Sequence, residues 1–294
     1  MIENFYKWYS NLNKNKVQQR YSPHKPLTII YTLAKSLKGI RWIEYNKDRV
    51  LLEDLIAEHT NFKTRPNCLH PIWRLKNDSK EIDLWQVIPT TLNVNQSGDI
   101  SQSEAKSINL KAGFSDRFYN WLQEHKAEGK ELIKFVISDN FPDTLSVSIL
   151  NSIGLENIEF NTDRPDAVKR DPSFPRKVLQ LYDYRCCFCD LKVYLNQKSL
   201  PMEAAHIRWK ARGGACCETN GLALCPTHHY TLDRGLWSLN QSYEITISDK
   251  AMIDEKSDSF FRPFIGKSIA SGILDKTKLP KVENIIWHQE NILK

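Results

Sequence analysis

The sequence has no apolar run approaching the length that a membrane-spanning helix needs, about 18 residues. Its first residues, MIENFYKWYSNLNKNK, lack the basic start and the following apolar stretch of a secretory signal peptide. The sequence also has no internal repeat and no low-complexity tract, which excludes repeat architectures and compositionally biased segments. We therefore expect a soluble, intracellular protein with no membrane partner.

The 294 residues suit two ordinary domains of about 150 residues better than one. With 41% hydrophobic and 26% charged residues, the composition is that of a globular protein. The net charge of +6 is unevenly distributed, because residues 1–50 hold 10 Lys and Arg against 3 Asp and Glu. The rest of the chain holds 31 against 32. The whole positive excess therefore lies in the first sixth of the chain, which indicates a localised anion-binding surface.

Six of the seven cysteines fall between residues 186 and 225, and without a secretory signal this cluster indicates a metal site rather than disulfides. Cys186 and Cys189 are separated by two residues, and Cys225 and His228 repeat that spacing. Two such pairs bring four ligands to one tetrahedral point, which predicts a structural Zn²⁺. The other cysteines of the cluster compete for a ligand position: Cys187, Cys216 and Cys217. Cys187 would form a poorer Cys-x-Cys chelate, so we interpret it as a core or spare residue.

The first 150 residues have a mixed helix and strand pattern. Pro26 predicts the start of a helix through LTIIYTLAKSLKG, because apolar residues recur there at helical spacing and a glycine ends the run. RWIEY predicts a short strand and LLEDLIAEH a helix. The segments HPIWRL and IDLWQVI predict a hairpin around NDSKE. Two more helices are expected at 115–128 and 130–138.

A polar, weakly patterned segment, residues 156–170, is the best candidate for a linker. We therefore predict a domain over residues 1–150, a linker over 151–170 and a second domain over 171–294. Asp171-Pro172 offers a helix N-cap followed by proline, which predicts a helix to about Tyr182. The C-terminal VENIIWHQENIL predicts an amphipathic helix that packs on its own domain or forms a dimer surface.

Residues 185–235 carry the clearest chemical pattern. MEAAHI predicts a strand that ends at His206, NGLALC a second strand after Asn220, and PTHHYTLDRG a short helix. His229 and Asp233 are four residues apart on that helix, so both side chains lie on one face. A nitrogen and a carboxylate oxygen suit Mg²⁺, Mn²⁺ or a similar divalent ion. The alternative interpretation of Asp233 is a charge pair at the helix end.

His206, Asn220 and His229, spaced 14 and 9 residues apart, resemble the HNH, or ββα-metal, nuclease motif. The combination of AAHI, NGLALC and HH…DRG with the CxxC and CxxH pairs is similar to bacterial modification-dependent restriction endonucleases, over about residues 171–240. The resemblance implies that His206 is the general base, that Asn220 orients the His206 loop, and that His229 and Asp233 hold a catalytic ion.

Many members of that family carry an Asp or His as a further metal ligand just before the first histidine, where this sequence has Ala205. Glu203 could replace that ligand only if the strand is bent, because alternate residues of a strand share a face and Glu203 should oppose His206.

The basic segment RYSPHKP contains Arg20, His24 and Lys25 and leads directly into the first predicted helix, which is a favourable place for a phosphate. PHKPL, a following LHPIWRL segment and a later AGF together resemble the sulfur-binding domain of type IV enzymes that cut phosphorothioate-modified DNA, over about residues 15–115. The resemblance implies that the three basic residues contact the phosphate and that His70 and Pro71 surround the sulfur. In the family an aromatic residue, typically tyrosine, often stands where this sequence has His70.

Sulfur in place of a phosphate oxygen keeps the negative charge but adds a larger, poorly hydrated atom, so its reader needs cations and a small apolar cup. Trp73 and Trp85 are expected to be core residues rather than base-stacking ones, because tryptophan is highly buried on average.

Together these patterns predict an α+β fold of two domains, a mainly helical DNA-reading domain with a small sheet and a ββα-metal (HNH) nuclease domain with a structural zinc. We expect an endonuclease of the bacterial or archaeal cytoplasm whose partner is double-stranded, phosphorothioate-modified DNA. A homodimer is favoured because a single HNH site cuts one strand per event. Two alternatives stay open: an HNH nuclease directed to methylated or otherwise modified bases, and a zinc-stabilised DNA-binding regulator without cleavage.

Overall fold

The computed structural model describes residues 1–13, 16–17, 20–61, 65–78, 82–90, 92–155, 173–195, 198–199 and 202–294. The chain divides into two compact units. Unit 1 is Met1–Asn140 with Val147–Phe160, and unit 2 is Phe141–Ser146 with Asn161–Lys294. Most of the predicted linker, residues 156–170, lies outside the described residues. Both units combine helices with small antiparallel sheets, which confirms the predicted α+β class.

Unit 1 is mainly helical. Its helices are α1 (Ile2–Ser10), α2 (His24–Leu37), α3 (Tyr45–Glu58), α4 (Leu69–Asp78), α5 (Gln102–Ser107), α6 (Asp116–Glu124), α7 (Lys126–Asn140) and α8 (Ser146–Ser152), whose first residue belongs to unit 2. Its strands are β1 (Lys16–Val17), β2 (Arg20–Tyr21), β3 (Ile43–Glu44), β4 (Trp85–Ile88) and β5 (Lys111–Phe114).

Helix α2 forms the centre of unit 1. It packs against α3, α4, α6 and α7, so that Leu27, Ile30 and Leu33 are fully buried. The helix starts at His24, two residues before the proline that predicted its start, and Pro26 lies within the first turn. Proline is tolerated there because the first N–H groups of a helix have no partner within the helix.

The predicted hairpin between residues 70 and 88 is wrong in its first half. The segment LHPIWRLKND is helix α4, whereas the second half forms β4 as an edge of the sheet β3-β5-β4. Leu69, Ile72 and Trp73 are all buried, and their spacing of three and four residues is that of one helix face. Apolar residues also alternate over part of this short stretch, which is typical of a strand, but the helical spacing decides which residues are buried.

Unit 2 carries the remaining elements. Its helices are α9 (Ser173–Leu181), α10 (Pro226–Asp233) and α11 (Val282–Asn291), and its strands are β6 (Tyr194–Leu195), β7 (Lys198–Ser199), β8 (Glu203–His206), β9 (Gly221–Leu224), β10 (Trp237–Leu239) and β11 (Ile245–Ile247). Short 3-10 turns occur at Asp143–Leu145, Lys210–Arg212, Glu218–Asn220, Asp258–Phe260, Arg262–Phe264, Ile269–Gly272 and Lys276–Lys278.

The order strand, strand, helix predicted for residues 202–235 is confirmed. Strands β8 and β9 pair antiparallel with His206 opposite Gly221, and α10 packs against both strands. Gly235 ends α10 with a positive φ of 73°, and a Cβ there would lie 2.0 Å from the Ile292 carbonyl oxygen. The turn that follows helix α10 therefore requires glycine at position 235.

The C-terminal helix packs within unit 2. Helix α11 contacts β10, and its Ile285 and His288 are fully buried. Among the described residues, no helix is both long enough and apolar enough to cross a membrane.

Candidate active site and metal cluster

The four predicted zinc ligands lie together in unit 2. Ligand atoms of Cys186, Cys189, Cys225 and His228 all lie within 4.8 Å of one another. The first two residues follow helix α9, and the other two lie at the start of α10. The turn between the first pair is closed by the Asp190 N–H, which donates to the Cys186 carbonyl oxygen at 2.8 Å. Three sulfurs and one imidazole are the donor set that Zn²⁺ prefers in structural sites.

His228 is held in the orientation that a metal ligand requires. Its Nε2 lies 3.0 Å from the Phe260 carbonyl oxygen, to which an N–H at that position donates. The other ring nitrogen, Nδ1, then faces the sulfurs, at 3.1 Å from Cys225 Sγ and 3.7 Å from Cys186 Sγ. The Phe188 ring stacks on the imidazole with centroids 4.0 Å apart. A second partner that fixes the tautomer is typical of histidine ligands.

Of the competing cysteines, none belongs to this cluster in the described part of the chain. The Cys187 side chain is partly buried against the hydrophobic core of unit 2. Its backbone N–H donates to the Ala223 carbonyl oxygen at 2.8 Å, which ties the turn to β9. The interpretation of Cys187 as a core residue is consistent with these contacts.

His229 lies between two carboxylates. Its Nδ1 is 2.7 Å from Glu203 Oε2, and its Nε2 is 3.2 Å from Asp233 Oδ2. Burial alone would lower the pKa of His229, but hydrogen bonds to Asp233 and Glu203 raise it to about 9. The arrangement concentrates negative charge around one imidazole, which favours a positive charge at this point.

The two carboxylates differ in their surroundings. The Asp233 side chain is 1% exposed, whereas that of Glu203 is 42% exposed. The Trp209 indole N–H donates to Asp233 Oδ1 at 2.8 Å, and the Thr144 hydroxyl donates to Oδ2. Both oxygens of the buried Asp233 carboxylate thus have hydrogen-bond partners inside unit 2, and Glu203 borders solvent.

Sequence reasoning missed three of these contacts. Glu203 is predicted to oppose His206 and to replace the missing ligand only on a bent strand, and its contact with His229 from the start of β8 is not predicted. Trp209 gave one signal, since a tryptophan just after the strand has an N–H that needs an acceptor when buried. Thr144 gave none, because it lies 89 residues from Asp233 in the sequence.

Asn220 fixes the loop that follows His206. Its amide Nδ2 donates to the carbonyl oxygens of Arg208 at 2.9 Å and Ala215 at 3.0 Å, and its Oδ1 accepts from the Arg208 N–H at 2.9 Å. Asn220 is fully buried, so these bonds are shielded from water. A Cβ at Gly214 would lie 1.8 Å from the Arg208 carbonyl oxygen, so the loop closes only with glycine there. These bonds are of the kind that an orienting residue makes, and the role of Asn220 stays a prediction.

His206 lies at the end of β8, where its ring stacks on Phe174 of α9 with centroids 4.1 Å apart. Opposite it, a Cβ at Gly221 would approach a Val178 methyl carbon to 2.4 Å, so helix α9 fits against the hairpin only because that position has no side chain. Stacking and the closely packed hairpin restrict the imidazole, which is what a general base in a fixed position needs.

In unit 1, His24 and Lys25, which are predicted to contact the DNA phosphate, already interact with other groups of the protein. Burial and the nearby His70 lower the pKa of His24 to about 4, and the Ser22 hydroxyl lies 2.6 Å from His24 Nδ1. Lys25 Nζ donates to Asp78 Oδ2 at 2.6 Å and to the Asn13 carbonyl oxygen at 2.9 Å. His24 is therefore neutral at pH 7, and the charge of Lys25 is balanced by Asp78. The side chain of Arg20, in β2, lies outside the described residues.

The predicted sulfur-contacting residues both lie in the first turn of α4. His70 is half exposed, with Nδ1 4.0 Å from Asp99 Oδ1, and Pro71 is buried. Asp99 is also bound by Arg74, whose Nε and Nη2 donate to the two carboxylate oxygens at 2.9 and 2.6 Å. His70 is near enough to His24 to lower its pKa, and Pro71 is buried within helix α4.

The two tryptophans near this region are core residues, as predicted. Trp73 and Trp85 are 2% and 3% exposed. Their indole N–H groups donate to the carbonyl oxygens of Gly98 at 2.8 Å and Ile72 at 3.0 Å, respectively.

The chain matches two protein families. Residues 186–240 match the HNH endonuclease family. This match and the β8–β9–α10 frame define a nuclease of the HNH class, so the protein is an enzyme. Residues 2–158 match the ScoMcrA-like DNA sulfur-binding domain. Because this match covers more than half of the chain, the protein belongs to the ScoMcrA-like DNA sulfur-binding family, and both resemblances inferred from the sequence are confirmed.

Several solved structures are similar to the chain. The sulfur-binding domain of ScoMcrA complexed with phosphorothioated DNA is 17% identical, covering 51% of this chain and 95% of that chain with a TM-score of 0.44. The corresponding domain of SprMcrA with phosphorothioated DNA is 16% identical, covering 53% and 96% with a TM-score of 0.45. The modification-dependent TagI restriction endonuclease is 20% identical, covering 42% and 39% with a TM-score of 0.32. No curated protein matches the chain.

Proposed function

We propose that the protein is a modification-dependent DNA endonuclease. Residues 1–150 recognise phosphorothioated double-stranded DNA, and residues 171–294 hydrolyse nearby phosphodiester bonds. The observation that carries this proposal is the occurrence, in one chain, of a domain of the DNA sulfur-binding family and an HNH domain. In the second domain His206 ends β8, Asn220 lies directly before β9 and His229 lies in helix α10, which supports the roles proposed for them. A DNA-recognition domain and a nuclease domain in one chain direct cleavage to the neighbourhood of the modification.

Two kinds of metal ion suit the donor atoms of unit 2. The three sulfurs and the imidazole of Cys186, Cys189, Cys225 and His228 suit a structural Zn²⁺. Around His229, one ring nitrogen and nearby carboxylate oxygens suit Mg²⁺, Mn²⁺ or a similar ion, because these hard cations prefer oxygen donors and accept imidazole. The donor sets differ enough for each cluster to select its own ion.

The proposed reaction begins with a proton transfer to His206. An imidazole nitrogen accepts a proton from water, which then attacks phosphorus in line with the departing 3′ oxygen. Asn220 acts indirectly, because its hydrogen bonds to Arg208 and Ala215 fix the loop that follows His206 in the chain. When bound beside His229, a divalent cation supplies the charge that stabilises the negatively charged transition state.

Recognition by unit 1 must combine charge with a poorly hydrated contact. His24 is neutral at pH 7 and Lys25 is balanced by Asp78, so we assign the main phosphate contact to Arg20. His24 and Lys25 then contribute hydrogen bonds and local shape. His70, half exposed beside Asp99, and the adjacent Pro71 provide the less polar surface for sulfur.

The test compares three matched plasmids: phosphorothioated, cytosine-methylated and unmodified. Purified protein with Mn²⁺ is expected to cut the phosphorothioated plasmid alone. Cleavage of the methylated plasmid alone would instead support a reader of modified bases, and binding without cleavage of any plasmid would support a regulator. The ratio of nicked to linear product reports whether both strands are cut, as a homodimer with two sites would do in one encounter.

A further inference from the structure

Two carboxylates flank His229, and the structure distinguishes their roles. We propose that Glu203 and Nδ1 of His229 hold the catalytic divalent cation, and that Asp233 is a positioning residue for the imidazole. This inference rests on the proposed nuclease function and changes the ligand pair predicted from the sequence, which was His229 with Asp233.

The first observation concerns Asp233. Its side chain is 1% exposed, and both oxygens already accept hydrogen bonds inside unit 2, Oδ1 from Trp209 and Oδ2 from Thr144. Oδ2 also lies 3.2 Å from His229 Nε2. An ionised carboxylate has about four acceptor positions, and Trp209, Thr144 and His229 occupy three of those of Asp233. An ion ligated by Asp233 would have to enter a buried site and compete with these donors, and a buried donor left unpaired costs about 1–3 kcal/mol. The surroundings of Asp233 are therefore those of a residue that orients an imidazole.

The second observation concerns Glu203. Its carboxylate lies 2.7 Å from His229 Nδ1, on the opposite ring nitrogen from Asp233, and the side chain is 42% exposed. Among the described residues, His229 is the one hydrogen-bond and ion-pair partner of the Glu203 carboxylate. One oxygen is thus available to an ion from solvent, and the side chain moves without disturbing a buried network. A cation that approaches from solvent meets Glu203 and Nδ1 first.

The third observation is the alanine before His206. Ala205 is fully buried and offers no donor atom. Its side chain shares a strand face with that of Glu203, two residues earlier. The carboxylate that the strand does offer therefore comes from Glu203, at the start of β8. One imidazole nitrogen and one exposed carboxylate leave further coordination positions for water and a DNA phosphate, as Mg²⁺ and Mn²⁺ prefer.

The ligand role of Glu203 is tested by titrating zinc-loaded, full-length protein with Mn²⁺ in the calorimeter, without DNA. Glu203→Gln keeps the size of the side chain but removes its charge, and we expect Mn²⁺ to bind at least about tenfold more weakly with an unchanged melting temperature. Glu255→Gln, an exposed residue, is the matched control and should bind as the wild type does. Glu203→Ala repeats the test without a remaining amide oxygen. Binding within about twofold of wild type in both Glu203 variants would overturn the inference.

The positioning role of Asp233 is tested by nitrogen NMR on the Mg²⁺-loaded protein labelled at histidine. If Asp233 accepts a hydrogen bond from His229, the ring proton is on Nε2 and the lone pair on Nδ1 faces the ion. The opposite tautomer, with the proton on Nδ1, would contradict the assignment. Neither measurement depends on cleavage. If the wild type fails to cut phosphorothioated plasmid, the proposed function fails, whereas normal cutting with unaltered Mn²⁺ binding by Glu203→Gln removes only this inference.

Discussion

The two units differ in how their predicted site residues are arranged. In unit 2, the four cysteine and histidine ligands converge, and His229 lies between two carboxylates. In unit 1, His24 is neutral and Lys25 is paired with Asp78. The difference follows from the chemistry. A metal cluster needs several donors at one point and is specified by short spacings, whereas a DNA-reading surface is assembled from distant segments whose charges first satisfy one another.

Loss of a zinc ligand is expected to produce the largest difference between the two units. Cys189→Ser removes a thiolate from a cluster whose zinc binding contributes about 10–16 kcal/mol to folding in small zinc domains. Unit 2 should unfold and cleavage should disappear, while DNA binding by unit 1 persists. Metal analysis and calorimetry measure the zinc content and the number of melting transitions. Cys216→Ser, outside the cluster, is the control, and a Cys189→Ser protein that melts like the wild type would refute the zinc site.

Removal of the general base should abolish the chemistry and leave both units folded. His206→Ala is expected to lower the cleavage rate about 10²–10⁴-fold, because a positioned base contributes that much to proton transfer. Affinity for phosphorothioated duplex should stay the same, as measured by fluorescence anisotropy. A cleavage rate within about tenfold of wild type would exclude His206 as the base, and loss of the fold would show a structural role instead.

Acid should weaken unit 2 through a histidine outside the active site. Burial lowers the pKa of His288 to about 4, and its ring lies 2.9 Å from Ser238 Oγ and 3.2 Å from the Leu232 carbonyl oxygen. Because the folded pKa is below the ordinary value of about 6.5, the contribution to stability is present above that value and is lost as the pH falls toward 4. Urea unfolding of unit 2 should lose about 2 kcal/mol between about pH 7 and pH 5.

His288→Gln provides the control for that titration, because its amide cannot take up a proton in this range. The variant should be less stable at neutral pH and show a flatter dependence on pH. An equally steep dependence in the variant would assign the acid sensitivity to another group. Protonation of His24 should have a smaller effect on unit 1, because that side chain is only partly buried.

The smallest expected effect is on DNA binding, where Lys25 and Arg20 should contribute differently. Lys25→Met should weaken binding of modified and plain DNA by less than about threefold, because Asp78 already balances the lysine charge. Arg20→Met should weaken both by about tenfold if Arg20 makes the main phosphate contact. Anisotropy titrations at two salt concentrations measure both effects. The reverse order, with Lys25 dominant, would mean that the Lys25–Asp78 pair opens on DNA.

The predictable part of the structure was the part encoded by local spacing. The strand-strand-helix frame, the zinc ligands and the end of α10 at Gly235 follow from residues less than 50 positions apart. Asn220, predicted from the same short segment, is fully buried. In each case covalent geometry and a short chain segment limit the alternatives.

The unpredicted part depends on tertiary contacts. Thr144 reaches Asp233 from a segment far away in the sequence, and no local pattern marks it. Glu203 shares a strand face with Ala205 by strand alternation, but no pattern in the sequence shows that its long side chain, at the start of β8, reaches His229 of helix α10. The first half of the predicted hairpin is helix α4, because a short stretch with both periods is decided by its packing partners.

The central claim is that recognition of sulfur directs the cut. Its most direct test uses an end-labelled duplex with one phosphorothioate linkage, prepared as each sulfur diastereomer, together with the identical unmodified duplex in the same reaction. The account predicts cleavage at a defined distance from the linkage in at least one diastereomer and none in the unmodified duplex. Equal cleavage of modified and unmodified duplexes, or cut positions unrelated to the linkage, would contradict it.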